Sequence, residues 1–452
     1  MELEKCQSTI LDRCSEEVQQ SAKRSISRRK FVQTSAGLVA AGALLGKRAF
    51  AAPRPIKIGY VTNETGPLAP FAEADGFILD GVRKHIQGGI QSGGTTRQVE
   101  ILTRDTQSDL NRAAQVTAEL IKSDKVDLVL ANGTFLSNPV ADQCEVLQMP
   151  YLSTNNPWQG FYFARGGTPD KGFDWTYHYF WGVETLSLVM SDVFNQLPTN
   201  KVVGLLLGND SIGNAMGDRK TGAPPVFEAA GYKIFDPGRF TFSITDFSAI
   251  ISSLKAANAE ILFGNIMFPP FSNFWTQAGQ QSYKPKIAFI CMALLFPNAP
   301  DDLGPRARAL STEIWWTNKH PFKSSLTGQS AEQLCDAYEE ATKKQWTQTL
   351  GFAYSLFESG IDIFKRVQNV DSNQSIIEAV RTIKLNTVIG PVQFQGSPPN
   401  PYTKNPVKNV CTTPLVGGQW LPGKKWPYDL IVTANQQYPL IPATHKQEYL
   451  PG

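Results

Sequence analysis

No stretch of this sequence matches G-x-G-x-x-G or G-K-[ST], so neither a dinucleotide nor a nucleoside triphosphate is indicated. Histidine is scarce: His85, His178, His320 and His445 are scattered, without H-E-x-x-H spacing or an evident acid partner. The sequence GNDSIG, residues 208–213, puts one residue too many before Ser211 for a nucleophile elbow. Catalytic signals are thin, no cofactor is expected, and an enzyme is not the leading reading. Net charge is also small. The whole chain carries +3, and residues 1–51 hold nine Lys/Arg against five Asp/Glu, which leaves the remainder at −1. Phosphate binding needs a basic footprint, so nucleic acid is not an expected partner.

Long apolar runs are missing too. The mild run AGLVAAGALLG, residues 36–46, is eleven residues long, where an ordinary membrane-spanning helix takes roughly 20. It follows Ser27-Arg28-Arg29-Lys30-Phe31-Val32, a twin-arginine pattern, and precedes Ala49-Phe50-Ala51, which suits a signal peptidase. Residues 1–51 therefore read as a twin-arginine signal removed near Ala51, and no cysteine follows at lipoprotein position. A soluble periplasmic protein is expected; a retained amphipathic helix is the alternative. Cys6 and Cys14 leave with the signal. Cys144, Cys291, Cys335 and Cys411 remain, either bridged in one of three connectivities or free and buried. Without C-x-x-C or a His at ligand spacing, no structural zinc site is indicated.

What is present is an ordinary globular composition, 42% apolar and 18% charged. At 452 residues it is long enough for two lobes. Residues 56–86 organise the rest. Ile56, Ile58, Tyr60 and Val61 form a short apolar run that ends in the turn formers Thr62 to Pro67. Phe71, Ala74, Ile78 and Val82 then share one helical face. A strand feeding a helix opens a βαβ unit, whose ligands settle at the carboxyl ends of strands. The turn from Asn63 to Ala69 is thus a first candidate for ligand contact, with a plain solvated loop as the alternative.

The alternation continues with strands at 99–102, 126–130 and 149–153 and helices at 110–121 and up to about 147. Residues 158–181 break it with ten aromatic residues, which read as a crossover with rings lining a cleft. A second run follows, with strands at 201–207, 232–235, 260–263 and 286–290 and helices up to about 230 and at 247–257 and 271–280. Residues 314–317 return to the first half, with helices at 331–343, 349–367 and 375–383, and edge strands near 428–433 close the second. Two similar βα runs, each too short to enclose a ligand, imply two lobes facing one another.

Taken together, IKIGYVTNETGPLA, the turn 133–137 after VDLVLA, MPYLSTNN and Thr387-Val388-Ile389-Gly390-Pro391-Val392 resemble a known family. It is the type I periplasmic solute-binding proteins of branched-chain amino acid ABC transporters. The resemblance covers about residues 55–434 and implies an α/β fold of two Rossmann-like lobes with parallel-rich sheets. On it, residues 54–178 and 318–390 form lobe 1, 179–317 and 391–434 form lobe 2, and 435–452 form a tail. It further implies a monomer that closes on a small-molecule ligand and delivers it to a membrane permease.

Carried over by position, Ser137 matches the hydroxyl that holds ligand carboxylate, with Asn155, Asn156 and Pro157 at a backbone-contributing turn. A helix N-cap is the other role for Ser137. Asn63 and Thr65 lie in the first turn, and Ile212 stands where family members often have tyrosine. Met267, Phe268 and Met292 occupy the second-lobe turns, where no acidic residue awaits an ammonium group. An unpaired buried ammonium costs several kcal/mol, so the expected ligand is a small carboxylate or amide with an apolar or aromatic body. Trp158, Trp181 and Phe268 would hold that body or simply pack in the core. The alternatives to an importer component are a subunit presenting its closed form to a membrane receptor, and an exported hydrolase or oxidoreductase.

Overall fold

The computed structural model describes residues 53–168, 171–241, 243–395 and 406–452. The expected signal at 1–51 lies outside them. Two sheets carry the fold. The first is wholly parallel, in the order Val410–Cys411, Thr176–Tyr179, Tyr151–Thr154, Leu128–Asn132, Ile56–Thr62, Val99–Asp105. In the second, Val202–Gly208, Ile261–Ile266, Ile287–Met292 and Ser311–Ile314 run parallel. Val416–Pro422 and Tyr428–Ala434 close that sheet antiparallel. This is the expected α/β architecture of two lobes.

Continuous apolar strands are the mark of sheets covered on both faces, and burial follows. Ile58, Tyr60, Leu128 and Leu130 face a core that continues through Leu356 to Val203, Phe263 and Phe289 of the second lobe. Val61, Val129 and Ala131 face a separate core on the outer side of the first sheet. Leu206, Leu262 and Ile290 face another beyond the second. One core thus runs through both lobes; the long helix Gln348–Arg366 packs on the first sheet, and Gln348 at its start bonds Trp315 and Glu313 at the crossing.

Side chains cap several of the helix starts. Asp109 accepts from the backbone of Arg112 to begin Leu110–Lys122. Ser330 and Gln333 form a capping box ahead of Ala331–Thr342. The expected first helix is divided: Ala69–Ala72 is a 3-10 turn containing Pro70, and the α-helix spans Asp75–His85. The helix expected up to about 230 is also two pieces, Ser211–Met216 and Ala223–Ala229. Between them Asp218 accepts from the backbone of Lys220 and Thr221 and turns the chain. Residues 158–181 are not a plain crossover, because they contain the helix Trp158–Tyr162 and the first-sheet strand Thr176–Tyr179. The helix Val183–Phe194, which the sequence reading passed over, follows and packs on the second sheet.

The chain crosses between sheets at Phe180-Trp181-Gly182, at Trp315-Trp316 and at residues 412–415. The last position differs from expectation, since 391–434 was assigned whole to the second lobe while Val410 and Cys411 pair with His178 and Tyr179 of the first. A two-residue strand carries too little pattern to be read in sequence. The four cysteines are free and buried, which removes the bridged alternative. Among the described residues no helix is long and apolar enough to cross a membrane.

Candidate functional site

Parallel strands end on one edge, so the carboxyl ends of Ile56–Thr62, Leu128–Asn132 and Tyr151–Thr154 lie side by side. Their polar ends form a network. Tyr60 and Thr62 donate to Asp75 Oδ2 at 2.9 and 2.6 Å. Asn132 Oδ1 accepts from the Asn155 amide. Asn155 sits at φ 66°, a conformation Asn tolerates better than most residues. Its carbonyl accepts from the Thr134 hydroxyl at 2.7 Å. Asn63 Oδ1 accepts from Thr106. A Cβ on Gly133 would fall 3.0 Å from Asn63 Nδ2, so glycine there lets the two turns touch.

These bonds leave atoms over. Asn63 Nδ2, Asn132 Nδ2, Asn155 Oδ1, Asn156 Oδ1 and Asp75 Oδ1 are buried with no protein partner. An unsatisfied buried polar atom costs about 1–3 kcal/mol. Five along one edge make a surface that a polar ligand group can relieve. Burial pushes the Asp75 carboxyl up to about 7, against the pull of its bonds from Thr62 and Tyr60.

His178 supports the same edge from the next strand. Its Nε2 donates to the Asn156 carbonyl at 2.6 Å, which leaves Nδ1 to accept from Ser153 at 2.8 Å. Burial pushes its pKa down to about 3, so it is neutral, and it stacks on Phe161 at 4.5 Å.

The crossings form an aromatic floor. Trp181 packs on Phe180 at 4.8 Å and on Trp315 at 6.3 Å between ring centroids. Trp315 stacks at 6.4 Å on Phe71 of the first lobe. Both indole N–H groups, of Trp181 and Trp315, are buried and unpartnered. Phe71 also meets Phe296 of the second lobe edge-on at 4.9 Å. Helix Trp158–Tyr162 packs on Ser211–Met216. The lobes are therefore in contact around this region.

The second-lobe edge is mostly apolar. Ile212 is buried, and Met267, Phe268 and Met292 are half-buried against the cores. Its one orphaned polar atom among these strand ends is Asn265 Oδ1. The sequence reading found no carboxylate beside Cys291. The structure brings Glu313 to it from the adjacent strand, buried and raised to about 7 by desolvation.

Of the anticipated residues, Asn63, Asn155, Asn156 and Trp181 share the polar edge and aromatic floor. Ser137 is buried at the start of its helix, donates weakly to the Thr134 carbonyl at 3.5 Å and accepts from Asn156 Nδ2 at 3.0 Å. Its hydroxyl thus works inside the turn. Thr65 is exposed and tied to Asp105 at 2.6 Å, pinning the loop. The Trp158 indole donates to Glu184 at 2.8 Å, and its ring packs on Tyr162 and Phe163. Sequence reasoning missed Asp75, Asn132, Asn265 and Trp315. A lone Asn late in each apolar strand, LVLAN and ILFGNI, was a readable signal for Asn132 and Asn265. Asp75 and Trp315 had none.

A recess of about 850 Å³ lies instead on the flank of the first lobe, bounded by Glu145, Arg165, Tyr177 and Arg381. None of the strand-end side chains lines it.

Known proteins share this architecture. A leucine binding protein from Thermotoga maritima superposes with a TM-score of 0.64 at 18% identity, over 84% of this chain and 99% of its own. A branched-chain amino acid transporter substrate binding protein from Streptococcus pneumoniae, solved with isoleucine, gives 0.64 at 16%, over 84% and 99%. An ABC transporter solute binding protein from Rhodopseudomonas palustris, solved with 3,4-dihydroxybenzoic acid, gives 0.65 at 15%, over 84% and 96%. At such identities the likeness speaks for the fold. Residues 55–404 match the periplasmic binding protein family, most of the chain, and this protein belongs to that family.

Proposed function

We propose that this chain is the substrate-binding component of an ABC importer, exported by the twin-arginine route. It takes a small carboxylate or amide with an apolar or aromatic body between its lobes and hands it to a membrane permease. The observation that carries this reading is the row of orphaned amide atoms of Asn63, Asn132, Asn155 and Asn156 at the first-lobe strand ends, together with the unpartnered indoles of Trp181 and Trp315 at the crossings. Polar atoms left unpaired in a buried place are costly unless something else pairs them. Of the ligands named for the structural relatives, 3,4-dihydroxybenzoic acid is a carboxylate on an aromatic body without an ammonium group, as proposed here, whereas isoleucine adds an ammonium group.

The mechanism is hinge closure. Three crossings restrict the lobes to rotation about the Trp181 and Trp315 segments. With the lobes apart, ligand settles on the first-lobe edge. Contacts such as Phe71 on Phe296 and Glu339 with Lys425 and Trp426 then form, and ligand shifts the population to closed. A thermal-shift screen of aliphatic and aromatic carboxylates and their amides tests this. A binder at a hundred times its dissociation constant should add about 2.7 kcal/mol of stability and be recovered unchanged. No shift by any compound, or turnover of one, overturns the reading.

A further inference from the structure

Most orphaned atoms at the strand ends belong to Asn side chains, whose oxygen and nitrogen exchange by a flip of the amide. Three do not. Asp75 Oδ1 can accept, and the Trp181 and Trp315 indoles can only donate. Asp75 is a built feature, 3% exposed, with its other oxygen fixed by Tyr60 and Thr62. Through Thr62 it is tied to the carboxyl end of the strand Ile56–Thr62, next to Asn63. Phe71, four residues earlier, stacks on Trp315 and meets Phe296 across the lobes. No Lys or Arg contributes to the network.

We propose that Asp75 is a specificity-determining residue that accepts a hydrogen bond from the ligand, so that the cleft takes a primary amide in preference to the carboxylate of the same body. This rests on the reading of the cleft given above. An amide matches the unflippable set, since its N–H₂ donates to Asp75 Oδ1 while its carbonyl accepts from an indole or amide N–H. A carboxylate offers no donor and brings a second negative charge to a buried one, which is unfavourable. The groups that act on Asp75 are Thr62 and Tyr60, which donate to it, and Glu64, which repels it. Of the helices packed on its own, Ala331–Thr342 brings Tyr338 against Phe77, and Gln348–Arg366 commits Glu358 to Ser325 and Val388. Burial holds the Asp75 carboxyl near 7, so ionisation is nearly complete at pH 8.5.

The test uses two pairs, 4-hydroxybenzamide with 4-hydroxybenzoate and isovaleramide with isovalerate, by calorimetry on the full chain and on Asp75→Asn at pH 8.5. The wild type should favour the amide of a pair at least tenfold, and Asp75→Asn should bring that ratio below threefold. A purely structural Asp75 would weaken both partners alike, and an unchanged ratio overturns the proposal. A wild type that prefers the carboxylate at pH 8.5 also overturns it. Should the variant fail to fold, the wild-type ratio measured from pH 6 to 8.5 decides. It must rise with pH as Asp75 loses its proton, and a flat ratio contradicts the assignment. If no compound binds either protein, the reading of the cleft itself falls, and the proposal with it.

Discussion

The two lobes share a βα plan yet end differently. First-sheet strands finish in Thr62-Asn63, Asn132 and Thr154-Asn155, a connected polar edge with unpaired atoms. Second-sheet strands finish in Gly208-Asn209, Ile266-Met267 and Met292-Ala293, where among the described residues Asn265 contributes the one orphaned side-chain atom. On the function proposed above, the first lobe would read the ligand's polar group and the second would cover its apolar body. A divided labour of this kind lets one lobe engage ligand before the other closes.

The strongest way to break that contrast is through the support of the polar edge. His178→Phe keeps a ring on Phe161 but strands Ser153 and the Asn156 carbonyl, so it should cost about 2–4 kcal/mol of stability by urea denaturation. Loss below 1 kcal/mol would mean the edge does not depend on it. Asn155→Ala removes the bond to Asn132 and loosens the left-handed turn. It should weaken ligand binding by about 2 kcal/mol, roughly thirty-fold, by calorimetry. Met267→Ala on the opposite edge should cost under 1 kcal/mol, and equal effects would erase the contrast.

Much of this was legible before any coordinates. Apolar strands such as VDLVL and KVVGLLL followed by amphipathic stretches fix a parallel fold, because continuous hydrophobicity over five to seven residues fits little else. The amides of Asn63, Asn155 and Asn156 were visible at strand ends. What was hidden depends on distant residues. Asp75 looks like any helix-start carboxylate until Tyr60 and Thr62 bury it, and Glu313 reaches Cys291 only through strand pairing. Ser137 and Thr65 show the converse: hydroxyls in plausible loops that internal bonds claim first.

Buried titrating groups sharpen the comparison through pH. Asp75, Glu313 and Glu358 are raised by burial to about 7, so their contribution is full below their unfolded values and lost as pH rises through 7. His178 and His320, lowered to about 3 by burial, act oppositely. Stability they supply above about 6.5 is lost as pH falls toward 3. The carboxylates stop compensating once the unfolded chain also binds their protons. Three carboxyls outweigh two imidazoles above pH 4.5, so stability should rise by roughly 2–3 kcal/mol as pH falls from 6.5 to 4.5 and then fall by about 1 kcal/mol per unit between 4 and 3. Urea midpoints across that range check it, and a flat profile to pH 3 would contradict it. The smallest effect is expected at Glu339→Gln, which weakens an ion pair with a largely exposed Lys425. It should cost under about 1 kcal/mol, seen as a loss of less than about fivefold in ligand affinity by calorimetry.

The central claim is that the first lobe reads the polar group of the ligand and the second closes over its apolar body. A crystal structure with a compound found by thermal shift tests it directly. The account predicts ligand polar atoms bonded to Asn63, Asn132 or Asn155, with its carbon skeleton against Ile212, Met267 or Met292. Polar contacts made chiefly by the second lobe, or a ligand bound away from the strand ends, would contradict it.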